Sequence, residues 1–103
     1  MTAAEKLYTE TGQSIRGAEQ SQMFGKPCFK VNRKAFCSLF EDEMVFKLAG
    51  KAHEEALQLK GARRFDPSGK NRPMKEWIQV PYSNKAKWPE LAKAAINYVK
   101  SIS

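Results

Sequence analysis

The sequence holds little of several things that would point to a chemical function. It has two cysteines, Cys28 and Cys37, and one histidine, His53. Two cysteines are too few for a disulfide framework. Without a CxxC pair, neither a redox couple nor a zinc site has its usual ligands. HExxH, GxSxG, a glycine-rich phosphate loop and a paired-carboxylate constellation are all missing, which removes the commonest hydrolase and nucleotide-binding readings. Glu41-Asp42-Glu43 offers too few staggered oxygens for a calcium loop. No apolar run approaches the roughly 20 residues that span a bilayer. The opening MTAAEKLYTETG is too polar for a secretory signal. A cytoplasmic protein with no membrane partner and no cofactor is expected.

Against this background one feature stands out: positive charge, unevenly placed. The net charge is +7, and Lys60 to Lys87 holds eight basic residues and two acids, a local excess of +6. Such a field attracts anionic partners, and it also keeps a protein soluble. The rest of the composition is ordinary, with 42% hydrophobic and 28% charged residues over 103 positions. Domains of about 100–150 residues carry one core, so residues 1–103 are expected to form a single domain. A domain this small buries a modest share of its surface, which makes a homodimer a reasonable expectation.

Hydrophobic spacing predicts the elements. Thr2 to about Thr11 reads as a helix, with Thr2 and Glu5 as a capping box, Gly12 closing it, and Ala4, Leu7 and Tyr8 inward. Gly17–Gly25 reads as a polar edge strand. Cys28–Val31 and Ala35–Phe40 form a hairpin around Asn32-Arg33-Lys34. A turn centred on Asn32-Arg33 would set Cys28 across from Cys37, both as small buried residues. After a turn at Glu41-Asp42-Glu43, a strand places Met44, Phe46 and Leu48 on one face. Lys51–Lys60 is a helix with Ala52, Ala56 and Leu59 inward, stopped by Gly61.

Arg63–Asn71, which contains Asp-Pro and Ser-Gly, reads as a loop. Met74–Val80 alternates into a last strand that stops at Pro81. Glu76 falls on the more apolar parity of that strand, an exception that a bulge or a basic neighbour would explain. Trp88, Leu91, Ala95, Tyr98 or Val99, and Ile102 then recur at helical steps, with Pro89 in the first turn. Runs of sequential strands favour an antiparallel α+β domain over a doubly wound one.

Three landmarks in this order resemble a known family. Met23-Phe24-Gly25 precedes a hairpin, a strand runs into the Lys51–Lys60 helix, and Arg72-Pro73-Met74 is followed by Trp77 and Val80-Pro81. The set is similar to the N-terminal domain of the TfoX competence regulators and, more distantly, to YjbR-like proteins, and it covers nearly the whole chain. The resemblance implies a curved antiparallel sheet with N-terminal, middle and C-terminal helices packed against it. It implies a lone domain without the regulators' second one, and a regulatory or binding role without catalysis. One departure is visible. Relatives usually carry another glycine after the position of Gly25, where this chain has Lys26-Pro27-Cys28.

The candidate site lies in GKNRPMKEWIQVPYS, Gly69 to Ser83. Pro73 fixes φ and biases Arg72 towards extended backbone, so the motif is first of all a stiff way into a strand. As a binding surface it offers Lys70, Arg72 and Lys75, joined by Arg63 and Arg64, to an anionic protein partner or to nucleic acid. In the second case Trp77 or Tyr82 would stack on an unpaired base. Trp77, Trp88, Phe24, Phe36, Phe46 and Leu91 are otherwise assigned to the core. An enzyme reading ranks last. It would use Cys28 as a nucleophile, activated by Lys26 or Lys30, while His53 reads as a solvated side chain on a surface helix.

Overall fold

Thr2 starts the first helix, α1 (Ala3–Gln13), by the expected reciprocal cap. Its hydroxyl accepts from the Glu5 amide at 3.1 Å, and the Glu5 carboxylate accepts from the Thr2 amide at 3.2 Å. Gly12 does not close this helix. It lies inside it, where a Cβ would sit 2.0 Å from Cε2 of Phe29, so glycine is required by the approach of that ring. Ser14 caps the end, its amide donating to the Glu10 carbonyl.

The computed structural model describes residues 2–23, 25–66, 68–70 and 74–103. After α1 come β1 (Glu19–Met23), β2 (Lys26–Val31), β3 (Lys34–Phe40) and β4 (Glu43–Lys47). Then follow α2 (Gly50–Leu57), β5 (Arg63–Phe65), β6 (Met74–Val80), a 3₁₀ turn (Tyr82–Lys87) and α3 (Trp88–Ser101). The strands make one six-stranded sheet in the order β1-β2-β3-β4-β6-β5, with every neighbouring pair antiparallel. The three helices pack against it, and the fold is α+β. Phe24, expected in the core, and Arg72 and Pro73 lie outside the described residues.

Two hairpins set the register of the meander. Asn32 and Arg33 have φ of 51° and 69°, and Glu41 and Asp42 have 50° and 60°. Two left-handed residues in a row match the right-handed twist of the strands they join. The first turn is centred as expected, yet Cys28 does not face Cys37. The β2–β3 register shifts, so that Lys30 pairs with Ala35 but Phe29 pairs with Cys37 and Cys28 with Ser38. Phe36 is the extra residue of this bulge, and it joins Cys37 in the helix-side core.

That core takes Met44 and Phe46 from β4 and Leu48 just past it, Ile78 and Val80 from β6, and Trp88, Leu91, Ala92, Ala95, Ile96 and Val99 from α3. Tyr98 sits at its margin, and Ile102 lies past the helix end, 44% exposed. The opposite face carries a second cluster of Val45, Phe65 and Trp77, flanked by Met23, Ala35, Phe40 and Met74. Among the described residues no helix contributes to it. The rings of Phe40 and Phe65 meet edge-on, centroids 5.2 Å apart, although β4 and β6 separate their strands. Three strand spacings would hold those strands roughly 14 Å apart in a flat sheet. The sheet therefore curls around this cluster.

β5 replaces the expected loop at its start. Three residues, Arg-Arg-Phe, carry no readable period, and they are strand only because β6 supplies a partner.

Candidate anion-binding site

The β5–β6 pairing breaks within a few residues, and the break builds a site. Arg64 pairs with Ile78, but Phe65 pairs with Met74 instead of Trp77, leaving Lys75 to Trp77 as extra residues on β6. Such irregularities re-aim side chains, and they recur beside functional sites. On its other side β6 stays paired with β4, and just past β4 the Leu48 amide donates to the Glu76 carbonyl at 2.8 Å. His53, from α2, is joined to the Lys75 carbonyl by Nε2 at 2.8 Å. A carbonyl only accepts, so Nε2 carries the proton. His53, half-exposed on the surface helix, is thus also a strut between α2 and the break.

Glu76 is satisfied from α3, its carboxylate accepting from the Tyr98 hydroxyl. That hydrogen bond raises the pKa of Tyr98 above the ordinary phenol value. The parity exception at Glu76 therefore coincides with a register shift, as one of its two explanations required. Its partner, however, is a tyrosine hydroxyl and not a basic neighbour.

These contacts frame a cavity of about 580 Å³, lined by Leu48, Ala49, Gly50, His53, Arg64, Lys75 and Glu76. Arg64 and Lys75 both border it, and neither makes an ion pair among the described residues. The start of α2 lies in the same wall. Its N-cap is Ala49, which has no side-chain acceptor, and no acid stands in the first turn. First-turn amides and the positive helix end add to the field of the two cations.

The other expected cations behave differently. Arg63 forms an ion pair with Glu43 at 3.0 Å and donates to the Gly61 carbonyl at 3.1 Å. The same Glu43 oxygen accepts from Gln79 Nε2 at 2.8 Å. Arg63 is therefore committed to the sheet. Adjacent strand residues point to opposite faces, so the two arginines diverge, although both reach the rim of a second depression of about 410 Å³. Lys70 is exposed in a loop shaped by Asp66, whose Oδ1 accepts from the Ser68 amide and hydroxyl and from the Gly69 amide. It borders neither depression. Arg72 falls outside the described residues. Of the four described cations, Arg64 and Lys75 are the pair that the fold brings to the His53 cavity.

The aromatic side chains offered for base stacking are engaged elsewhere. Trp77 is 6% exposed, within the second cluster. Tyr82 packs edge-on against Trp88 at 5.5 Å, with the Lys85 ammonium 5.0 Å over its ring. The two thiols are buried and free, and burial pushes both up in pKa. Lys30 and a hydrogen bond from Ser21 pull Cys28 the other way by less, so the activation that a nucleophile needs is not supplied by them.

Sequence spacing missed His53, Tyr98 and the start of α2 as members of the site. The one readable trace was the misplaced parity of Glu76. No family model, curated protein or solved structure matches this chain.

Proposed function

We propose that this protein is a non-catalytic binding module of the TfoX N-terminal type, which holds an anionic group of its partner at the Arg64–Lys75 cavity. One observation carries the reading: two cations without ion-pair partners among the described residues converge on one concavity, beside an uncapped helix start. A carboxylate or phosphate entering there meets fixed positive charge. Glu76, in the same lining, accepts from Tyr98 and keeps its negative charge, and the two cations outnumber it. The landmarks shared with the TfoX domain support a binding or regulatory role over catalysis.

A second reading, contact with nucleic-acid phosphates, draws on a separate basic corner. Asn84 Nδ2 donates to the Lys60 carbonyl at 2.9 Å, which ties Lys60 to the 3₁₀ turn that carries Lys85 and Lys87, the latter ion-paired with Glu90 at 3.8 Å. With Trp77 and Tyr82 engaged in packing, such binding would depend on the backbone and on salt.

Fluorescence anisotropy with a labelled oligoglutamate peptide and a short labelled DNA duplex tests both readings. The double variant Arg64→Glu/Lys75→Glu should weaken peptide binding by at least about tenfold, since each reversed contact costs a charge-assisted interaction of roughly 1.5–3 kcal/mol. Thermal melting should be unchanged, because both side chains are exposed. Equal peptide affinity of wild type and variant, or no peptide binding in dilute buffer, would overturn the first reading. DNA binding that persists in this variant but is lost in Lys60→Glu/Lys85→Glu/Lys87→Glu would favour the second.

A further inference from the structure

The two edges of the sheet are unlike. The β5 edge is three residues long, opens with two arginines, and loses register beside Phe65. Short length, charge and irregularity are the usual ways of keeping an edge from pairing with another chain. The β1 edge is longer and regular, and its single charge is Glu19 at one end. Glu19-Gln20-Ser21-Gln22-Met23 pairs with β2 over five successive residues without a break, and it contains no lysine, arginine or proline. Among the described residues its outer row of backbone donors and acceptors faces no other strand.

We propose that β1 is a self-docking edge. Two copies pair antiparallel through Glu19–Met23 about a two-fold axis at Ser21, and their sheets join into one. The charge pattern selects a second copy in this orientation. A chain of net charge +7 repels itself, yet β1 contains no base and a single acid, so approach along this edge is the least opposed. Antiparallel pairing about Ser21 sets Glu19 opposite Met23 of the partner, so the two acids stay apart, whereas an in-register parallel pairing would set them side by side. It also sets Gln20 opposite Gln22, where the side-chain amides can exchange hydrogen bonds, and Ser21 opposite Ser21. An isologous contact of this kind closes at two copies and uses up both β1 edges, leaving only the short, charged β5 edges outside.

The test uses two charge variants at the exposed positions 20 and 22. In Gln20→Lys/Gln22→Lys every cross-strand 20–22 pair becomes Lys–Lys. In Gln20→Lys/Gln22→Glu each becomes Lys–Glu. Sedimentation equilibrium on the full chain, up to about 1 mM because a contact this small is weak, should show wild type moving from monomer towards dimer. The Lys–Lys variant should stay monomeric. The Lys–Glu variant should dimerise at least as well as wild type. Hydrogen exchange of the β1 amides should slow with concentration in wild type and not in the Lys–Lys variant. A wild type that is monomeric throughout, or two variants that dimerise alike, would overturn the proposal. Because β1 and the Arg64–Lys75 cavity lie at opposite edges, Arg64→Glu/Lys75→Glu should leave dimerisation untouched.

Discussion

The two faces of the sheet are built on different terms. The face under the helices is filled with large apolar side chains, among them Phe29, Phe36, Phe46, Met44 and Trp88, all essentially without solvent contact. The other face has no helix, yet it also buries residues, and it does so with polar ones in the row. Ser21, Cys28, Ser38, Val45, Gln79 and Arg63 are successive cross-strand partners across all six strands. Along that row Ser38 donates to the Pro27 carbonyl at 2.7 Å, and Gln79 and Arg63 share Glu43. One face is held by packed area. The other is held by curvature and satisfied hydrogen bonds around a small apolar cluster.

Truncating aromatic residues on the two faces should show the contrast most strongly. Phe46→Ala should cost about 3–5 kcal/mol in urea unfolding, because α3 cannot collapse onto the sheet to fill the space. Phe65→Ala, on a three-residue edge strand, should cost about 3 kcal/mol at most, since an edge can relax towards the void. Equal losses would mean that the uncovered face is as rigid as the covered one.

Buried hydroxyls should separate the faces more finely. Val80 and Val45 are both strand residues without solvent contact, on the helix side and the open side respectively. Val80→Thr should cost about 1–3 kcal/mol, because its partner Met44 offers no acceptor. Val45→Thr should cost less than about 1 kcal/mol, with Ser38 and Gln79 as its cross-strand partners. Unfolding midpoints that move equally would contradict the division.

The cysteines give the smallest effect. Cys37 belongs to the helix-side cluster, while Cys28 alternates with Phe29 onto the other face. Burial raises both thiol pKa values, further for Cys37. A raised thiol pKa favours the fold fully below the range where free thiols ionise, and that contribution fades as pH climbs through the higher folded value. At mildly alkaline pH both thiols should alkylate more slowly in the native protein than after unfolding, Cys28 before Cys37, as read by mass spectrometry with iodoacetamide. Cys37 reacting first would place the better-sealed thiol on the open side.

Much of the fold was legible in the residues because its signals are local. The Thr2–Glu5 cap spans one helical turn, the Asn32-Arg33 turn closes adjacent strands, and Met44 and Phe46 alternate within β4, with Leu48 following on the same side. The candidate site was legible only in part. Arg64 and Lys75 were among its expected cations, but so were Arg63 and Lys70, and nothing near them in the chain sorts them. That sorting follows from β5 pairing with β6, a partner outside local reach, and from a register shift that spacing does not announce. Gly12 misled for a similar reason. Near the end of an apolar stripe a glycine reads as a stop, and only the ring of Phe29, many residues later, gives it a different purpose.

By itself, then, the order of residues determined the class of the domain, the positions of most helices and strands, and which side of each faces the core. Those depend on periodicity and capping over a few residues, where the chain is its own template. Tertiary structure alone decided that Phe36 and Cys37 share a face, that His53 braces Lys75, and that Arg63 is committed while Arg64 is free of ion pairing among the described residues. Each of these is a contact between segments whose meeting depends on the register of the whole sheet, and a one-residue slip anywhere in that register changes which side chains meet.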